Sequence, residues 1–107
     1  MAQKNEGMMM EKNDIVTEEK INHYLDLTHR ARQKASIIPA EDEPGFSSVM
    51  TMLKMSDDYY SDAKYFRDQG DYVRAFGAIN YAHAWIDAGV KIGLLDGHGD
   101  DVLFTLP

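Results

Sequence analysis

Two long helical patterns meet at one Gly-Asp step, Gly70-Asp71, and that junction constrains the fold more than any other feature of the chain. Glycine takes the left-handed conformation that ends a helix, and aspartate caps the next one. The step therefore reads as a very tight turn between two antiparallel helices. Before it, Val49, Leu53, Ser56, Tyr60, Ala63 and Arg67 recur at three- and four-residue steps, with Met52, Tyr59 and Phe66 widening the row. After it, Tyr72, Ala75, Phe76, Ile79, Ala82, Ile86, Gly89, Val90 and Gly93 line one arc, and Ala78, Tyr81, Trp85 and Ile92 line another. A helix apolar over so much of its surface packs on two neighbours, or on one neighbour and a partner chain.

A third helix precedes these two. Thr17 is a good N-cap, and Glu18 and Glu19 suit the positive end of the helix dipole. Ile21, Tyr24, Leu25, Thr28, Ala31 and Ala35 form its face, and Pro39 is expected to close the element. An acidic loop from Ala40 to Gly45 follows, and Ser47 or Ser48 is the expected cap of the next helix. The last helix is expected to run to about Leu95, with Gly77, Gly89 and Gly93 allowing close helix approach. These patterns predict an all-α fold, a three-helix antiparallel up-and-down bundle with no sheet. Residues 1–14 read as a disordered lead, 15–96 as the bundle, and 97–107 as a tail that either docks on the bundle end or stays free.

The chain has 107 residues and a formal net charge of −7, with no cysteine. Disulfides and thiolate metal sites are excluded, and a cytoplasmic location is expected. An acidic surface disfavours nucleic acid and anionic lipid. No apolar run approaches a membrane span, so no membrane association is expected.

The segment from Tyr60 to Leu95 resembles an archaeal family defined only as domain of unknown function 357. The resemblance rests on Tyr60, Asp62, Ala63, Phe66, Gly70, Asp71, Ala75, Tyr81, Ala82, the block Trp85-Ile86-Asp87-Ala88, and Gly93-Leu94. Ala84 stands where many relatives have glycine before the tryptophan, a mild departure. The family implies a small archaeal cytoplasmic three-helix bundle. It implies no activity. Within it, Tyr60, Asp62, Gly70, Asp71, Ala75, Trp85 and Asp87 are expected to serve structure.

Three groups of residues carry whatever chemistry the chain has. Asn80, His83, Asp87 and Lys91 follow steps of three, four and four and project from one side of the last helix. A His83–Asp87 hydrogen bond would orient the imidazole for catalysis or metal binding. The plainer reading is a pair of i,i+4 contacts, His83–Asp87 and Asp87–Lys91. Asp62 and Asp87 offer two carboxylates, fewer than a di-metal bundle site needs. Tyr81, Trp85 and Ile92 are interaction candidates if the last helix is covered on one side only, although aromatic residues at helical spacing ordinarily belong to a core. Trp85 is expected to be largely buried.

The cationic run from Arg30 to Lys34, and Arg67 with Arg74, are the candidate basic patches for nucleic acid, and the plainer reading is the mixed surface of a soluble helix. The loop Asp96-Gly97-His98-Gly99-Asp100-Asp101 lacks the calcium-loop pattern. No catalytic set, metal site or cofactor is called for. The leading expectation is a protein-interaction or self-associating module whose partner is another protein or a second copy. The alternatives are an enzyme or metal-dependent site around His83 and Asp87, and a nucleic-acid accessory protein using the Arg30–Lys34 edge.

Overall fold

A computed structural model describes residues 12–107, and most of the expected lead lies outside these residues. The elements run α1 (Glu18–Lys34), β1 (Ser36–Ile37), α2 (Phe46–Asp68), α3 (Tyr72–Lys91) and β2 (Leu95–Asp96). Cross-helix hydrogen bonds fix the directions. Arg67 meets Asn22, and Arg32 meets Asp57, so α2 runs opposite to α1. Tyr72 meets Glu18, and His83 meets Thr28, so α3 runs with α1. The architecture is the expected up-and-down three-helix bundle. No helix among the described residues is long and apolar enough to cross a membrane.

Several local expectations hold at the level of single atoms. The Thr17 hydroxyl accepts the Lys20 N–H at 3.1 Å, satisfying one of the free donors of the first turn. At the far end of α2, Gly70 has φ +76°. The Gly70 N–H reaches the Arg67 carbonyl at 2.9 Å, and the Asp71 N–H reaches that of Phe66 at 2.8 Å. This is the paired-bond helix ending that glycine at C′ permits. Asp71 then caps α3 by accepting the Arg74 N–H at 3.1 Å. Nothing lies within 4 Å of where a Cβ on Gly70 would sit, so a substitution there is opposed by backbone conformation alone. Gly70→Val is expected to cost about 1–2 kcal/mol, the penalty of left-handed geometry for a branched residue. A urea midpoint equal to that of the parent protein would reject this.

Other expectations fail for identifiable reasons. Helix α1 stops at Lys34, ahead of Pro39, because the next residues are drawn into an extended pairing. Ser36 and Ile37 pair antiparallel with Asp96 and Leu95, and the Ile38 N–H adds a bond to the Leu94 carbonyl at 3.0 Å. The bundle thus carries a miniature two-strand ladder that helical periodicity gives no hint of. Helix α2 starts at Phe46 from Gly45 in left-handed geometry, with no side-chain cap, so neither Ser47 nor Ser48 serves. Helix α3 stops at Lys91 rather than Leu95, because Gly93 (φ +82°) ends it as Gly70 ends α2. Gly77 faces open space, so only Gly89 is needed for close packing, against Leu95.

The core has two apolar clusters stacked along the bundle. Ile21, Leu25, Ala63, Ala75, Ile79 and Ala82 fill the end near the Gly70 turn. Ala31, Val49, Leu53, Ile86, Val90, Leu95, Leu103 and Phe104 fill the other. Buried Thr28 and Ser56 lie between these levels in sequence, on α1 and α2. Leu103 and Phe104 belong to the tail, so the segment after α3 docks and completes the second cluster.

Candidate functional site

The stripe Asn80, His83, Asp87, Lys91 is brought together with that docked segment. His83 Nε2 lies 2.8 Å from the Leu103 carbonyl oxygen. A carbonyl only accepts, so Nε2 carries the proton. In the neutral ring Nδ1 then accepts from the Thr28 hydroxyl, 3.0 Å away. Asp87 accepts the Thr105 N–H at 3.0 Å and its hydroxyl at 3.4 Å. Lys91 Nζ donates to the Leu106 carbonyl at 2.9 Å. Three of the four stripe residues therefore latch backbone groups of Leu103, Thr105 and Leu106. Of the two expected i,i+4 contacts, His83–Asp87 persists as a contact at 3.9 Å, beyond hydrogen-bond reach, whereas Lys91 turns from Asp87 to Leu106.

The docked segment also has its own cap. Asp100 Oδ1 accepts the N–H groups of Val102 and Leu103, each at 3.0 Å, and Oδ2 meets Lys34 at 2.9 Å. Gly97 lets the Phe104 ring lie against the backbone, since a Cβ there would come within 2.8 Å of it. The Leu103 N–H, then Lys34, hold the Asp100 carboxyl below its ordinary value. A depressed acid stabilises the fold above its unfolded pKa, and the gain is lost as pH falls through the lower folded value. The gap in urea midpoint between the parent and Asp100→Asn is expected to be constant above about pH 4–5 and to close below it. A gap independent of pH down to about pH 2.5 would reject the assignment.

Beside the latch, Tyr24, Leu27, Asn80, Ala84 and Val102 line a cleft of about 250 Å³. Asn80 sits exposed at its edge. Both His83 nitrogens are committed while the segment is docked, so the ring has no free lone pair for a metal or a reacting proton. Among the described residues, no three His, Asp or Glu side chains gather as metal ligands do. Asp62 and Asp87 do not meet, since they line separate clefts. In the Arg30–Lys34 run, Arg30 pairs with Asp26, Arg32 with Asp57 through two bonds, and Lys34 with Asp100. The edge carries little net positive charge.

The interaction candidates lie elsewhere on α3. Tyr81 is 47% exposed and Ile92 65% exposed, so neither belongs to the core. Trp85 is partly exposed, with the larger share of its surface covered. Its indole Nε1 is shielded from solvent and has no hydrogen-bond partner among the described residues. Its ring meets that of Tyr81 edge-on at 6.0 Å, and Tyr81 meets Tyr59 of α2 at 4.5 Å. With Val73, Gly77, Ala84 and Ala88, Tyr81 and Ile92 make a line of exposed, uncharged positions along α3 at steps of four, four, three, four and four. The spacing shows an apolar excess on this helix, but which arc faces solvent depends on where its neighbours lie.

These features define a small all-α protein: a three-helix bundle whose third helix latches the following segment and presents an exposed apolar line beside the latch. The profile of the family described as protein of unknown function (DUF357) matches residues 23–95, and the chain belongs to that family. No curated protein and no solved structure was found to match it.

Proposed function

We propose that the protein is a helical interaction module that binds another protein through the outward face of α3. The observation behind this reading is the exposed line Val73, Gly77, Tyr81, Ala84, Ala88 and Ile92. Val73 is 79% exposed. Isolated apolar residues on a surface are ordinary, but a continuous line along a whole helix is the form that helix-mediated recognition uses. The helix already packs on α1 and α2, so its own fold does not require this third apolar face. His83 and Asp87 favour no enzymatic alternative, because their polar atoms are occupied by the docked segment.

Site-specific photocrosslinking in the native cell tests the reading. A photoreactive phenylalanine analogue at Tyr81 or Val73 is expected to give discrete protein adducts. The same group at Gln33, exposed near the end of α1, is expected to give none. Equal adducts at all three positions, or none at Tyr81 and Val73, would sink it.

A further inference from the structure

The groove between α2 and α3 borders the exposed line and shares Gly77 and Tyr81 with it. It is an open cleft of about 430 Å³. Tyr59 and Phe66 on α2, with Gly77 and Tyr81 on α3, supply apolar surface. Its lining includes two charged side chains, Asp62 on the α2 wall and Arg74 on the α3 wall. Among the described residues, Asp62 takes part in no ion pair or side-chain hydrogen bond. Arg74 lies over the Phe66 ring at 5.9 Å, with its guanidinium 3.6 Å from Asp71 at the exposed helix start. Gly77 is a helix-interior glycine that internal packing does not need, with open space where its side chain would be. Such a residue costs about 1 kcal/mol of helix propensity and leaves a flat spot on which another helix can lie.

The geometry points to a second copy of this chain as the occupant, and this rests on the reading of α3 as an interaction face. In a two-fold dimer the same patch meets itself, so residue i touches j and j touches i. A groove with one acid on one wall and one base on the other fits that rule. With a two-fold axis running along the groove, α2 lies over the partner's α3. Asp62 of each copy then faces the wall of the other that carries Arg74, which sits about one helical turn nearer the Gly70 turn, a rise that the long arginine side chain can span. The two α2–α3 hairpins close a four-helix bundle, and Tyr59, Phe66 and Tyr81 become its core. The chain carries −7 overall, so two copies repel generally. The groove's two charges cancel, which makes it a place where two acidic copies can meet.

Charge exchange on the full chain tests this, with association read by analytical ultracentrifugation across concentration. The parent is expected to dimerise. Asp62→Arg and Arg74→Asp each place like charges in the groove and are expected to weaken self-association about tenfold or more. An equimolar mixture of the two variants is expected to form the mixed dimer, and the double exchange to restore the homodimer. Circular dichroism checks that each variant keeps its helices. Rescue by mixing separates the contact from misfolding, because a misfolded chain is not repaired by a partner. A parent that stays monomeric at several hundred micromolar would overturn the dimer, as would a dimer that neither exchange weakens. A monomeric parent whose Tyr81 analogue still crosslinks to a different protein would sink the second copy and leave the interaction face standing. A dimer broken by the exchanges and restored by mixing supports both.

Discussion

Phe104→Ala is expected to destabilise the protein by about 3–5 kcal/mol, as large a loss as truncating a residue inside a helix core. Phe104 is only 4% exposed and belongs to the apolar cluster with Leu53, Ile86, Val90 and Leu95. Its ring lies against Gly97, whose missing side chain makes the room. Removing the ring leaves a cavity walled by α3 and by the loop after β2, and the two-residue ladder limits how far that loop can collapse. A small domain has about 5–15 kcal/mol of stability in all, so the variant should unfold at a much lower urea concentration. A loss below about 1 kcal/mol would mean that the segment after α3 only rests on the bundle.

The bundle itself was legible because its signals are local. Thr17, Gly70 and Asp71 each act on backbone groups within a few residues, so their roles follow from residue type and position. Apolar spacing marks the buried faces of α1 and α2 for the same reason. The docked segment was not legible, because residues 97–107 have no period and their anchors lie distant in sequence: His83, Asp87 and Lys91 on α3, and Lys34 on α1. The signal existed in two halves, a polar row on an otherwise apolar helix and an apolar hexapeptide with nothing to cover. Neither half names the other.

The ladder was hidden for a related reason. Ser36-Ile37 and Leu95-Asp96 are too short to show alternation, and each flanks a helix that spacing extends through it. The exposed line on α3 was half legible. An excess of apolar positions was plain, but which arc faces solvent depends on where α1 and α2 lie. That is why Tyr81 and Ile92 are at the surface while Ala78, on the same expected arc, is buried.

His83→Ala is expected to cost about 2–4 kcal/mol, and how that loss combines with Phe104→Ala is more informative than its size. The substitution deprives the Leu103 carbonyl of its donor and the Thr28 hydroxyl of its acceptor. Orphaned buried polar groups cost about 1–3 kcal/mol each, and Thr28 can recover part by bonding its own helix backbone. If residues 103–106 are held as one unit, releasing either anchor frees the other. The double variant should then cost about as much as the larger single one, well short of the sum. Additive losses would mean that the polar latch and the Phe104 ring act separately. In the parent, ring nitrogen shifts should report the proton on Nε2 of His83, and hydrogen exchange at the Thr105 amide should be slow. In His83→Ala that amide should exchange faster while amides in the middle of α2 keep their protection, because the latch opens at less cost than the bundle. Uniformly faster exchange along α2 would place His83 in the global core instead.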